Sequence, residues 1–165
     1  MNPPADAGLS TTGQFASVLA SRGDLDVELE DRLRVIEERL LAAASVDTRL
    51  VTDAARWIIN AGGKRFRPVL AVLAAQFGPD PRTDDVVTAA LVVELTHVAS
   101  LYHDDVMDDA DKRRDALTAH QKWQNSVAIM VGDFLFSRAS SLVAELGPEA
   151  VRIQADNYRG AKQRL

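Results

Sequence analysis

The feature that most narrows the fold is where this chain can break. Glycine and proline gather mainly near the amino terminus, at Gly62-Gly63, at Pro68, from Gly78 to Pro81 and at Gly147-Pro148. Between those points the text is helical. Leu29, Leu33, Ile36, Leu40 and Leu41 recur at the helical period, which predicts an amphipathic helix from Leu25 to Ala44. A second is expected from Asp47 to Ile59, ended by Asn60-Ala61-Gly62-Gly63, where a glycine can take the left-handed closing conformation. A third follows Pro68. From Asp84 to about Asp108 no breaker occurs, and Thr83 or Asp84 can cap the start. One helix about 35 Å long is expected there. Its first half, Val86 to Val98, is apolar on most sides, as in a helix buried among others. Asn125 to Ala144 reads as another helix, with Gly132 inside it. Strict two-residue alternation of β-branched residues is missing. The expected architecture is all-α, packed around one long central helix.

At 165 residues and 47% hydrophobic, the chain fits a single domain. Its 24 acidic residues outnumber 19 basic ones, and the basic ones are clustered, so no nucleic-acid partner is expected. Cysteine is absent, which removes thiolate metal sites and thiol nucleophiles and agrees with a reducing compartment. Met1 to Gly13 lacks a basic stretch followed by an apolar run, so no secretory signal is expected and residues 1–23 read as a flexible leader. Apolar runs such as Val69 to Ala75 fall well short of the roughly 20 residues of a transmembrane helix. A cytoplasmic protein without a transmembrane segment is the expectation.

Three clusters carry the chemistry. His103-Asp104-Asp105-Val106-Met107-Asp108-Asp109 sets Asp104 and Asp108 one helical turn apart, and like charges at that spacing repel unless a cation lies between them. Hard oxygen ligands without cysteine favour Mg²⁺, which completes its shell with water and substrate phosphates. Gly62-Gly63-Lys64-Arg65-Phe66-Arg67-Pro68 puts three cations on a glycine-opened turn, suited to an anion. Lys112-Arg113-Arg114 follows the aspartates directly. Acidic and basic clusters beside an apolar helix suit a phosphate ester with its metal ions. Two rivals use the same residues. His103-Asp104 is the dyad of HD-type metal phosphohydrolases, whose further ligands would have to include His120. Glu94 and His97 have the spacing of a ferritin-like ligand pair, and the chain has no second such pair.

The GGKRFRP turn, then ELTHVASLYHDDVMDDADKRR, then Trp123-x-Asn125 and GDFLF, in this order, resemble the trans-isoprenyl diphosphate synthases, or polyprenyl synthetases, over roughly Leu25 to Ile153. The resemblance implies an all-α isoprenoid-synthase bundle around a central cavity, in which isopentenyl diphosphate elongates an allylic diphosphate. It implies that Asp104 and Asp108 hold Mg²⁺ bridging to the allylic diphosphate and that Arg113 contacts the same group. By the same likeness Lys64, Arg67, His97 and Arg114 contact isopentenyl diphosphate. Bulky residues one turn before the aspartates stop the growing chain in this family. Here they are Ala99 and Ser100, which implies an open tunnel and a long-chain product.

The pattern also breaks. No second DDxxD follows Asp109, and Asp156 to Gly160 departs from the family where its helix continues. Residues 24–165 therefore read as the amino-terminal portion of the family's domain, and the 165 residues alone are expected to be inactive. Association with a copy of itself or with a full-length synthase, as a non-catalytic partner, is the alternative. Asp115 and Leu117 stand where the family has glycine and proline, and Gln124 replaces a usual glycine.

Overall fold

The computed structural model describes residues 24–113 and 116–162. The expected leader, residues 1–23, and Arg114 lie outside them. Among the described residues seven helices follow one another: α1 Asp24–Ala43, α2 Arg49–Asn60, α3 Phe66–Ala75, α4 Asp84–Met107, α5 Ala119–Trp123, α6 Asn125–Glu145 and α7 Pro148–Lys162. The five helices expected from residue spacing all form: four have ends displaced by two residues or fewer, and α3 begins at Phe66, so that Pro68 lies in its first turn rather than before it. Gly62 takes φ +83° just beyond α2, the conformation that glycine was expected to supply there. Thr83 precedes α4 in extended conformation without a side-chain cap, and Asp84 instead pairs with Arg39 of α1 at 2.7 Å.

α4 is the centre, packed chiefly on α6 and also on α3 and α1. Ile36 and Leu40 of α1, Ile59 of α2, Val72 of α3, Leu95 and Val98 of α4 and Leu135 of α6 are all fully enclosed. Each such aliphatic side chain contributes about 1.5–3 kcal/mol by leaving water. Tyr102 is enclosed with them, and its hydroxyl needs partners there. It donates toward the carbonyl of Ala54 and accepts the N–H of Ile58 at 3.4 Å. Burial pushes this hydroxyl well above the ordinary tyrosine range, so it stays neutral. Gly132 brings α6 close to α4: a Cβ at that position would lie 2.4 Å from Nε2 of His103.

Three features add to what residue spacing led one to expect. Lys112–Arg113 and Ala116–Leu117 form a small antiparallel ladder, with Arg113 opposite Ala116, in the stretch between the two long helices where a loop was expected. Two-residue strands are too short to leave an alternating pattern in sequence. Second, α7 runs through Asp156–Gly160 to Lys162, so the stretch that departs from the family pattern is helical. Third, α4 and α6 are long and apolar enough to cross a membrane, with mean hydropathy of 1.4 and 1.5. Uninterrupted runs missed them because scattered polar residues divide each helix. In α4, 61% of the most apolar 18-residue window is buried inside the fold.

Candidate active site

The second half of α4 has two unequal sides. Leu91, Val92, Glu94, Leu95, Val98, Ala99, Leu101, Tyr102 and Asp105 are buried. Val93, Thr96, His97, Ser100, His103, Asp104 and Met107 are not, and they recur at steps of three and four residues. These positions share one face, so the helix keeps a continuous open stripe about 16 Å long from Val93 to Asp104. The stripe holds His97, Ser100 and Asp104 of the expected site. Asp108 caps the helix one turn beyond Asp104 and is exposed.

Electrostatics at this helix end are unfavourable unless compensated. Three carboxylates stand where the helix dipole is negative, and no basic residue lies in the last turn of α4. Asp105 is compensated: Arg113 grips it in a fork, with N–O distances of 2.7, 2.9 and 3.1 Å. The hydrogen bond to Asp105 raises the Arg113 guanidinium further above its ordinary range, and the charges of Asp104 and Asp108 add to it. Arg113 thus lies in the field of the whole cluster while being pinned to a buried aspartate. Sequence reasoning weighed only the pair one turn apart and passed over Asp105. An arginine eight residues after an aspartate at a helix end was the available signal.

The ladder that carries Arg113 is anchored at both sides. Trp57 Nε1 donates to the carbonyl of Leu117 at 2.8 Å, and Thr118 Oγ1 donates to that of Ala110 at 2.6 Å. Trp57 meets Trp123 edge to face, and Lys122 Nζ sits 3.3 Å above the Trp57 ring, a cation–π contact.

The basic turn between α2 and α3 surrounds a cavity of about 590 Å³ whose lining includes Lys64, Arg67 and His97. Three residues expected at one diphosphate are therefore brought together. Lys64 and Arg67 are exposed. Arg65 does something else. It adopts the left-handed conformation, φ 45°, and bonds both oxygens of Glu37 at 2.7 and 2.8 Å, Glu94 at 3.5 Å and the carbonyl of Ile59 at 2.9 Å. Burial is the largest influence and works against its charge, but the hydrogen bonds and negative charges of Glu37 and Glu94 together outweigh it, holding Arg65 above its ordinary range. Glu94 is thus one side of a buried ion pair.

Ala99 is wholly enclosed in the core, and the Ser100 hydroxyl turns back to the carbonyl of His97 at 2.8 Å. Neither lines the cavity of the basic turn. His103 faces α6, with Nε2 3.3 Å from both Asp133 Oδ1 and the Ile129 carbonyl. His120 is buried apart from it, 3.7 Å from Asp109. The phosphohydrolase reading needed these histidines at one centre, and they face different partners.

Among the described residues no three His, Cys, Asp or Glu side chains converge to hold a metal ion. Asp104 and Asp108 nevertheless fit Mg²⁺, which binds through one or two carboxylates and takes its other ligands from water and phosphate. They offer hard oxygens at a helix end whose last turn carries no basic residue of its own.

A buried central helix, a carboxylate pair at its end and a cationic turn beside it define the all-α fold of the isoprenoid synthases. The polyprenyl synthetase family model matches residues 48–161, and the chain belongs to that family. Nonaprenyl diphosphate synthase of Mycobacterium tuberculosis is 54% identical over 109 residues, 66% of this chain and 32% of the relative. Heptaprenyl diphosphate synthase component 2 of Geobacillus stearothermophilus is 44% identical over 128 residues, 77% and 40% of the two chains. Among solved structures, polyprenyl synthase from Caulobacter crescentus CB15, complexed with calcium and isoprenyl diphosphate, superposes with a TM-score of 0.74 at 34% identity, covering 79% of this chain and 40% of the other. This chain therefore spans about a third to two fifths of the length of these relatives.

Proposed function

We propose that this chain carries the first half of a prenyltransferase site, in which isopentenyl diphosphate is condensed head to tail with an allylic diphosphate to give a long-chain polyprenyl diphosphate in the cytoplasm. The convergence of Lys64, Arg67 and His97 on one cavity, beside a helix that ends in Asp104 and Asp108, carries this reading. In it Lys64 and Arg67 bind the diphosphate of isopentenyl diphosphate, Lys as a point charge and Arg as a planar fork. His97, on the open stripe, faces the same group. Arg113, set by Asp105, turns its positive field toward the allylic diphosphate. Asp104 and Asp108 hold Mg²⁺, which when bound supplies charge stabilisation to the departing pyrophosphate. The apolar residues around the stripe keep water from the allylic cation until the alkene attacks. Ala99 and Ser100 are small, and the relatives named above make nonaprenyl and heptaprenyl products, which supports a long chain.

The 165 residues contain one DDxxD motif, so the reading assigns them binding without turnover. Purified chain with Mg²⁺, farnesyl diphosphate and labelled isopentenyl diphosphate is expected to bind both diphosphates and release no labelled polyprenyl product. Product formation would show that these residues suffice for catalysis, and absence of all binding would remove the proposal. A second reading, a partner subunit that packs on a full-length synthase, is favoured by the "component 2" name of the Geobacillus relative and by exposed Phe66, Leu70 and Phe77. Failure to co-purify with such a synthase would exclude it.

A further inference from the structure

A ladder of two residues on each strand does not hold its own shape, because so short a hairpin needs a packed face or outside bonds to be stable in water. The ladder between α4 and α5 nevertheless sets the backbone of Arg113, which stands opposite Ala116. Asp105 takes Nε and Nη2 of that arginine, and Nη1 makes no hydrogen bond among the described residues.

The returning strand is held from α2. Trp57, in the last turn of that helix, donates its indole N–H to the carbonyl of Leu117, the neighbour of Ala116. Two contacts fix the indole itself. Trp123, the last residue of α5, meets it edge to face with ring centres 5.5 Å apart, and Lys122 Nζ lies 3.3 Å above the Trp57 ring and 4.4 Å from the centre of the Trp123 ring. Trp57, Ile58 and Ala61 share with Arg113 and Ala116 the lining of a void of about 10 Å³, room for about one water, so helix and ladder lie close together. The same turn of α2 also mounts the cationic turn, since Arg65 bonds the carbonyl of Ile59 at 2.9 Å. One helical turn therefore carries bonds to both cationic elements, through Ile59 to one and through Trp57 to the other.

We propose that Trp57 is a positioning residue for the allylic diphosphate: by holding Leu117 it fixes the ladder against α2, and so sets where Arg113 stands relative to Lys64 and Arg67. The inference rests on the diphosphate reading above and adds to it the group that keeps the two cationic elements in register. Trp57 itself touches no ligand in this account. Without the indole N–H, Asp105 still grips the guanidinium, but the strand behind it is free to shift. Part of the binding energy of an allylic diphosphate then goes into bringing Arg113 into place.

The test is Trp57→Phe in the full chain, which keeps a ring for Lys122 and Trp123 and removes the donor. Titration calorimetry follows two ligands separately: farnesyl thiolodiphosphate with Mg²⁺, which resists ionisation, and isopentenyl diphosphate. Farnesyl thiolodiphosphate binding is expected to weaken about threefold to tenfold, as loss of one hydrogen bond gives, while isopentenyl diphosphate stays within about twofold. A role in stability alone would move both ligands or neither. Equal weakening of the two, or an unchanged farnesyl affinity in the folded variant, would overturn the proposal and leave the diphosphate reading intact. Trp57 and Trp123 are the only tryptophans of the chain, so its indole emission reports this cluster alone. Should Trp57→Phe fail to fold, as circular dichroism would show, wild-type emission decides: it is expected to change on saturation with farnesyl thiolodiphosphate and Mg²⁺ and to stay constant with isopentenyl diphosphate. Constant emission with both, or the same change with both, would overturn the positioning role. If the wild-type chain bound neither ligand, the diphosphate reading would fall, and the role of Trp57 with it.

Discussion

Arg65 and Arg67 stand two residues apart in one turn, and the fold uses them in opposite ways. Arg65 is 11% exposed and tied to Glu37, Glu94 and a backbone carbonyl, so it joins the turn to α1 and α4. Arg67 is exposed, lines two cavities and is engaged in no ion pair among the described residues. A run of cations in sequence thus divides into one that builds the turn and others that the turn presents. Arg113 stands between these cases, gripped by Asp105 yet within the field of Asp104 and Asp108.

The sharpest way to break that contrast is to truncate both arginines. Arg65→Ala removes a nearly buried guanidinium bonded to Glu37, Glu94 and the Ile59 carbonyl, and is expected to lower stability by about 3–5 kcal/mol in urea denaturation. Arg67→Ala should change stability by less than about 0.5 kcal/mol and weaken isopentenyl diphosphate binding about tenfold. If both variants melted alike, the division of roles would be wrong. Asp105→Ala comes next, at about 2–3 kcal/mol for a buried charge-assisted fork, and should also weaken allylic diphosphate binding because Arg113 loses its anchor. Unchanged binding in a folded Asp105→Ala protein would make that fork purely structural.

Gln124→Gly has the opposite sign. Gln124 adopts φ 77° and ψ 159°, a region open essentially to glycine alone, between α5 and α6. Relief of that strain should raise stability by about 1–2 kcal/mol, seen as a higher melting temperature. Smallest is the surface pair. The Arg39 hydrogen bond holds the Asp84 carboxyl below its ordinary range. Its stabilisation is therefore present above the unfolded pKa, about 3.9, and is lost as pH falls through the lower folded value. Because both groups are well exposed, Asp84→Asn should remove no more than about 1 kcal/mol at neutral pH and flatten the acid limb slightly.

Much of this arrangement was legible in the residues. Breakers and period marked five helices, and the order of motifs brought Lys64, Arg67 and His97 together before any coordinates did. What escaped were partners distant in sequence. Nothing local distinguishes Arg65 from Arg67, because Glu37 lies 28 residues away and only packing brings it near. Asp105 differs from Asp104 by one residue of rotation, enough to carry it from the open stripe into the core. Gln124 read as a departure from a family glycine, and its cost became visible only with the backbone angle. Arg114 lies outside the described residues, and its part in diphosphate binding stays a proposal.

The most direct test compares two aspartates five residues apart. Mg²⁺-dependent binding of farnesyl thiolodiphosphate, measured by titration calorimetry, should be weakened by Asp104→Ala about tenfold or more and by Asp109→Ala far less, with both proteins equally folded. Equal losses, or binding that ignores both Mg²⁺ and Asp104, would contradict the claim that the open stripe of α4 ends in a metal–diphosphate site.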